Sequence, residues 1–463
     1  MPSVIVIGAG ISGLAAAFRI RAAIPGVTLT VLERAERAGG NVGTDHIDGF
    51  TVERGPNGFL DGKRSTLELC HDLGLKDQLI VASEGSRTNR FLYQNGEMFK
   101  LPASPSGILR TPVLSLLGKL KLLTEPFRGT PKKLPSDETI EQFASRRFGK
   151  EVAATFIDAL VTGIHGGDPA RLSVAAAFPR LPLFERETGS VIRGFMRAAK
   201  QRRLDTLARG ETPGPQRMWS FRGGLRTIID ALTEQLGDCV KLGVDLRSIE
   251  KSSDGWLVRG SGTESWSADA IVVTCPAHAQ AELLTSVDES LAAEIAAIGY
   301  TPVHVVAIGY KREHAPLNLD GFGYIAPQRT RRDALGVQWC SSIFPDRAPP
   351  GYVLWRVLCG GMSRPDVAAY DDETLLRCVH AEMKITMGVT GEPAFHKVVR
   401  WPRAIPQYLV GHLSRVERIE TAAASHAGLF LGGNAYRGIA MNDCTERAGW
   451  LADSVARFCR LPV

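Results

Sequence analysis

The sequence predicts an α/β protein built around a Rossmann-like dinucleotide-binding domain, and three observations near its start carry that prediction. Val4-Ile5-Val6-Ile7 is a continuous apolar run of the kind buried on both faces of a parallel sheet. It runs into Gly8-Ala9-Gly10-Ile11-Ser12-Gly13, a glycine turn that opens a helix. A second apolar run, Val27 to Leu32, then ends at Glu33, twenty residues past Gly13.

Each residue type in this signature has a physical task. Gly8 permits the tight turn, Gly10 lets the backbone approach a pyrophosphate, and Gly13 lets the helix pack close to the strand. Ala9, Ile11 and Ser12 contribute N–H groups at the positive end of the helix, where phosphate charge is favoured. Glu33, with Arg34 beside it, sits where a carboxylate can accept from a ribose hydroxyl and disfavour a 2′-phosphate. FAD or NAD therefore fits better than NADP. Two further glycine segments follow, Arg37-Ala38-Gly39-Gly40-Asn41 and Glu53-Arg54-Gly55-Pro56-Asn57-Gly58. They resemble the second glycine pair and the Gly-Pro turn of FAD-containing amine-oxidase-type flavoproteins. The resemblance selects FAD and adds Gly40, Asn41, Gly55, Pro56, Asn57 and Gly58 to the expected cofactor contacts.

Composition is that of an ordinary globular protein with two or three domains: 463 residues, 44% hydrophobic and 22% charged. A net charge of +6 suits anionic ligands or an anionic membrane surface. No basic stripe is interleaved with stacking aromatics, which argues against nucleic acid. The eight cysteines are scattered without a C-x-x-C pair and read as reduced, mostly buried thiols of a cytosolic protein. No basic region precedes the first strand, so no signal peptide is expected, and no apolar stretch is long enough to span a bilayer.

The cofactor domain is expected in three pieces, residues 1–84, 218–295 and 404–463. In the second, Phe221-Arg222-Gly223-Gly224 leads into an amphipathic helix (Leu225, Ile228, Ile229, Leu232, Leu236), a strand from Val240 to Ile249, a hairpin near Gly255-Trp256 and the buried strand Ala270 to Thr274. In the third, the strand Gly428 to Leu431 and Gly432-Gly433-Asn434 precede a closing helix from about Gly438 to Phe458. A substrate domain is expected at 85–104 plus 296–403, because the runs at 303–310, 322–325, 335–340 and 352–359 alternate as antiparallel strands do. Residues 105–217 read as a helical insertion. Within it, leucines from Leu109 to Leu123 adjoin Arg110, Lys119, Lys121, Arg128, Lys132 and Lys133, a pattern that suits either a bilayer interface or a helix pair packed on its own domain. A second basic run, Arg193 to Arg209, reads as a solvated helix face.

Several blocks in shared order resemble the oxygen-dependent protoporphyrinogen oxidase family of flavoenzymes, nearly end to end. They are Asn89-Arg90-Phe91-Leu92-Tyr93, Gly163-Ile164-His165-Gly166-Gly167-Asp168, Gly321-Phe322-Gly323, Ile405-Pro406-Gln407-Tyr408, and Tyr436-Arg437-Gly438 with Asn442-Asp443-Cys444. The resemblance implies one non-covalent FAD per chain, since the attachment motif for covalent flavin is absent. It implies a porphyrinogen substrate that loses six electrons as hydride equivalents to flavin N5, and dioxygen as the final acceptor, giving peroxide. It places Arg90 on a substrate propionate, Gly163, Ile325, Gln338 and Leu358 around the macrocycle, Val244 at the adenine, Trp401 near the flavin, and Gly438-Ile439-Ala440-Met441 with a helix N-terminus at the pyrimidine carbonyl. Gln338 stands where the family carries an aliphatic residue.

The flavin would carry the redox chemistry, so no side chain is nominated as catalytic and no metal is expected. His165 reads as a hydrogen-bonded structural residue. The resemblance further implies a cytoplasmic protein peripheral on the membrane and leaves a homodimer open. Coproporphyrinogen III oxidation within the same family is the nearest alternative, disfavoured by the Asn-Arg block and by Asn442 before Asp443-Cys444. A flavin-free, partner-binding relative of the fold is the alternative from another class.

Overall fold

A computed structural model describes residues 1–102, 105–130, 136–253, 255–316 and 319–460. Its first layer is a five-stranded parallel sheet in the order Val240–Lys241, Thr28–Leu32, Ser3–Ile7, Ala270–Val273, Leu429–Leu431. The apolar run at the start of the chain is explained by its central place. Val4 and Val6 point into one core with Leu14, Ile228, Leu232, Leu451 and Val455, while Ile5 and Ile7 point into another with Ile249, Trp256, Leu284 and Val416. The first core belongs to the helices Ile11–Ala23, Arg226–Leu236 and Met441–Arg460, the second to a three-stranded sheet and the helices Ala277–Leu284 and His412–Ala424.

The expected strand from Val240 to Ile249 is two strands. Gly243 adopts φ +69° and turns the chain, so Val240–Lys241 joins the parallel sheet and Leu246–Ser252 starts the antiparallel one. The closing helix begins at Met441, three residues after the expected start, because Gly438 is left-handed at φ +78°.

The second large sheet has seven strands in the order Phe395–Pro406, Tyr300–Lys311, Tyr352–Gly360, Ala334–Gln338, Gly323–Ile325, Arg90–Gln94, Glu97–Lys100. It is mixed, which corrects the expectation of an antiparallel wall. Gly323–Ile325 pairs in parallel with Arg90–Gln94, two strands joined through the helical region and not through a hairpin. One face packs Tyr310, Trp355 and Val357 against Leu375, Val379 and Met383 of the helix Asp372–Met387. The opposite face is turned toward the cofactor side.

The helical region includes Leu116–Leu123, Ile140–Phe148, Asp158–His165, Arg180–Thr188 and Val191–Ala208, around a core of Leu114, Phe143, Val161 and Val174. Buried Arg147 is satisfied by Glu125 and Glu185, so the charge lies in a fully paired network. Lys132 and Lys133 lie outside the described residues. Among the described residues no helix is long and apolar enough to cross a membrane.

Candidate active site

The glycine signature folds into a cradle whose members act for different reasons. Gly8 is left-handed at φ +99°, and its N–H donates to the Leu32 carbonyl at 2.8 Å, locking the turn against the neighbouring strand. A Cβ on Gly13 would lie 1.9 Å from the Gly8 carbonyl oxygen, so the helix can approach the strand only with glycine there. A Cβ on Gly10 would meet nothing within 4 Å. The space in front of Gly10 is open, as a pyrophosphate would require, and no side chain caps the helix Ile11–Ala23 that follows. The second glycine pair leans on the first: the Gly39 N–H donates to the Ala9 carbonyl at 2.8 Å, and a Cβ on Gly40 would reach to 3.5 Å from the Gly10 Cα.

Glu33 closes the other side. Its carboxylate accepts from the Ala9 N–H at 2.7 Å and from the Ala35 N–H at 2.9 Å, which holds it beside the turn, with Arg34 next along the chain. Val244 is brought to the same corner, but its N–H donates to the Glu33 carbonyl at 2.8 Å. Only the Val244 carbonyl remains for an adenine, a narrower role than the resemblance implies.

The Gly55-Pro56-Asn57-Gly58 turn is set by close contacts. A Cβ on Gly55 would sit 2.1 Å from the Asn41 carbonyl oxygen, and one on Gly58 2.6 Å from that of Trp219. The Trp401 indole donates to the Arg54 carbonyl at 2.9 Å, and the Arg356 guanidinium donates to the Gly55 carbonyl at 2.5 Å. Asn57 is buried, yet its amide nitrogen has no hydrogen-bond partner in the protein. An orphaned buried donor among backbone-exposing glycines is what a bound cofactor would satisfy. At the C-terminal corner the Ala440 N–H donates to Asp443 Oδ2 at 3.1 Å. The helix therefore has an internal cap on its first turn, and the Ala440 N–H is not free for the pyrimidine carbonyl; the Ile439 and Met441 positions flank it.

The expected substrate residues share one face of the seven-stranded sheet. Register pairs Leu92, Ile325, Gly336, Leu358 and Val305 in one row, and Arg90, Gly323, Gln338, Arg356 and Ala307 in the row two residues on. Because side chains two apart point the same way, both rows look toward the cofactor side. Gly163, on the helix Asp158–His165, packs over this face, where its Cβ would lie 2.9 Å from Ile325 Cδ1. Arg90 is exposed, has no ion-pair partner among the described residues, and lies 4.5 Å over the Phe322 ring. It lines a cavity of about 420 Å³ with Leu60, Val81, Met218 and Phe322.

Gln338 lies on this same face and is hydrogen-bonded within the sheet. Its Oε1 accepts from Arg356 at 3.2 Å, because a buried guanidinium needs acceptors and Gln338 lies beside it in the sheet. Arg356 is thus a site residue that the sequence reading missed, although a lone charge within the apolar strand Tyr352–Gly360 was a visible signal. Glu53 is a second. Fully buried, it accepts from Thr44 at 2.7 Å and from the Leu225 N–H at 2.8 Å, and burial pushes its carboxyl above the usual range.

The His165 ring is buried edge-on to Phe178 at 5.4 Å, and burial depresses its pKa to about 4. Its Nδ1 has no partner; the hydrogen bond at this residue is made by the backbone, whose carbonyl accepts from Gln407 Nε2 at 3.0 Å. Asp158 on the same helix is raised to about 6 by burial while it accepts the Gln328 N–H at 2.7 Å.

A glycine cradle with an acidic strand end, a second glycine pair leaning on it and a facing mixed sheet define a flavoprotein of the amine-oxidase type. The chain belongs to the flavin-containing amine oxidoreductase family, which it matches over residues 11–455. It is 33% identical to the chloroplastic protoporphyrinogen oxidase of Nicotiana tabacum, over 98% of this chain and 85% of that one. It is 28% identical to the coproporphyrinogen III oxidase of Bacillus subtilis (strain 168), over 96% of each. Among solved structures, an Exiguobacterium sp. 255-15 protein with a provisional protoporphyrinogen oxidase name superposes with a TM-score of 0.83 at 24% identity, over 98% of this chain and 99% of that one. The cyclohexylamine oxidase of Brevibacterium oxydans IH-35A superposes at 0.71 with 16% identity, over 99% of this chain and 100% of that one, which makes the fold, not the substrate, the common property.

Proposed function

We propose that this chain holds FAD non-covalently and oxidises protoporphyrinogen IX to protoporphyrin IX, with dioxygen as the final acceptor. When bound, the flavin supplies the acceptor for the electrons leaving the macrocycle. The observation that carries the substrate reading is Arg90: a guanidinium outside any ion pair among the described residues, on the same sheet face as Ile325 and Leu358, with Gly163 packed over Ile325. An apolar wall with a cation at its edge suits a flat, largely apolar ring bearing carboxylates.

In this reading the glycine cradle and Glu33 hold the pyrophosphate and ribose, with Asn57 and the turns at Gly40 and Gly55 along the rest of the cofactor. Residues 1–84, 218–295 and 404–463 form the cofactor domain, and 85–104 with 296–403 the substrate domain. Arg90 binds a propionate, Gly163, Ile325 and Leu358 contact the ring, and Gln338 acts by holding Arg356. Two hydrogen bonds from the substrate sheet to the flavin turn, from Trp401 and Arg356, fix the substrate wall relative to the cofactor.

The helical region, 105–217, is the membrane-facing part. Leu116 and Phe127 are 83% and 82% exposed, Leu117 and Met196 lie exposed with them, and Lys119 and Lys121 stand on the leucine helix. Exposed apolar groups with basic neighbours support peripheral attachment to an anionic bilayer.

The B. subtilis relative favours coproporphyrinogen III as the second reading. Anaerobic titration of the oxidised holoenzyme with each porphyrinogen separates the two. Flavin bleaching is expected with protoporphyrinogen IX at lower concentration than with coproporphyrinogen III. The reverse order selects the second reading, and bleaching by neither, or a chain that stays colourless after refolding with FAD, removes both.

A further inference from the structure

A second cation, Arg217, lines the cavity that holds Arg90, and it makes no ion pair among the described residues; its attraction to Glu84 is weaker than that of Arg87, which is hydrogen-bonded to Glu84. Arg217 is exposed and has no ion-pair partner among the described residues, while the other charged pair at the cavity, Arg87 and Glu84, is matched internally. The Arg217 backbone is held firmly. Its N–H donates to Asp61 Oδ1 at 2.9 Å, and its carbonyl accepts from the Asp61 N–H at 3.1 Å. The other Asp61 oxygen accepts from the Trp219 indole at 3.2 Å, so the neighbouring carboxylate is spent on backbone and indole donors and not on the guanidinium. The side chain therefore projects from a fixed point with its donors unused. The cavity lining also includes apolar Leu60, Val81, Met218 and Phe322.

We infer that Arg217 is a second carboxylate anchor, so that Arg90 and Arg217 each take one propionate of the same tetrapyrrole. The inference rests on the porphyrinogen reading and deepens it. Protoporphyrinogen carries two propionates and no other charge, and the cavity carries two guanidiniums outside any ion pair, Arg90 and Arg217, with the one lining carboxylate, Glu84, hydrogen-bonded to Arg87. Each guanidinium can bind a carboxylate through two N–H donors. A ligand bound by both is fixed in its plane as well as at one edge, so Arg217 selects among tetrapyrroles by the spacing of their acid side chains. Arg217 touches the periphery of the substrate and takes no part in electron transfer.

The test is a binding titration of the FAD-loaded protein with protoporphyrin IX and with its dimethyl ester, followed by porphyrin fluorescence, alongside steady-state kinetics. Wild type is expected to prefer the diacid. Arg217→Gln should weaken the diacid about 5- to 30-fold and leave the diester unchanged, with KM raised, kcat near wild type and the flavin spectrum intact. Arg90→Gln should act similarly, and the double substitution should abolish the preference for the diacid. An Arg217→Gln protein that binds the diacid as wild type does, while Arg90→Gln is weakened, overturns the second anchor and leaves the porphyrinogen reading standing. A wild type that binds diacid and diester equally, with no flavin bleaching by porphyrinogen, overturns the reading itself.

Discussion

Replacing Arg90 by alanine isolates substrate anchoring from everything else the site does. In the folded protein the guanidinium has no ion-pair partner among the described residues and rests 4.5 Å above Phe322. The fold therefore loses only an exposed cation–π contact, about 0.5 to 1 kcal/mol. The substrate loses more. Hydrogen bonds to a charged group contribute roughly 1.5 to 3 kcal/mol. Solvent at this exposed position screens the pair, which leaves about 1 to 2 kcal/mol, or a 5- to 30-fold weaker interaction. The propionate lies at the rim of the ring and its charge does not change during oxidation, so ground and transition states lose equally. KM should rise by that factor with kcat within about twofold. Arg90→Lys keeps the charge without the fork and should fall between the two. The assay is the appearance of porphyrin fluorescence under steady-state conditions, with the flavin absorbance of each variant recorded first. An unchanged KM in Arg90→Ala, or a loss confined to kcat, refutes the reasoning.

The cofactor, the helical core and the membrane face give three further expectations. Gly10→Val adds a side chain where the protein has open space, at φ −72°, an ordinary angle for any residue. The apo protein should unfold within about 0.5 kcal/mol of wild type while FAD binding is lost; a yellow, FAD-saturated variant contradicts the placement of the pyrophosphate. His165 takes its proton near 6.5 when unfolded and only at about 4 when folded. The unfolded chain therefore binds more protons between those values, and stability falls as pH drops from about 6.5 to 4, by up to about 3 kcal/mol from this residue. Asp158, raised to about 6, acts with the opposite sign over much of that window, so the measurement is the difference between wild type and His165→Phe in urea midpoints from pH 7 to 4. The gap should change across that range, and a constant gap rejects the assignment. Leu116→Asp with Leu117→Asp should lower sedimentation with anionic vesicles about tenfold without altering kcat in detergent; equal sedimentation places the membrane face elsewhere.

The parts of this molecule written in local pattern were readable without coordinates, and the parts written in pairings between distant segments were not. Val4 to Ile7 announced a doubly buried strand because both faces of a central parallel strand demand apolar residues, and the glycine spacing announced the cradle because each position excludes a side chain for a local reason. Gly323–Ile325, by contrast, reads locally as a strand, but nothing local names its partner or direction, and its parallel alignment with Arg90–Gln94 depends on the chain's return from the helical region. That pairing matters functionally, since it puts Arg90 and Gly323 in one row with Gln338 and Arg356.

Arg356 shows the limit most clearly. Within Tyr352–Gly360 it interrupts an apolar run, and a buried guanidinium is tolerable only if acceptors surround it. For its two Nη groups those acceptors are the Gly55 carbonyl and the Gln338 side chain from the next strand, while Nε has no partner in the protein. Once they are known, the polar residue at 338 has a reason: an aliphatic side chain there would leave the Arg356 Nη1 donor without its acceptor. The departure at Gln338 and the oddity at Arg356 are thus one feature, a hydrogen-bonded strut running from the substrate sheet to the turn beside the cofactor. In the proposed reading, substrate position relative to the flavin is consequently a property of the framework, and the cations at the cavity, Arg90 first among them, would have only the periphery of the ring to recognise.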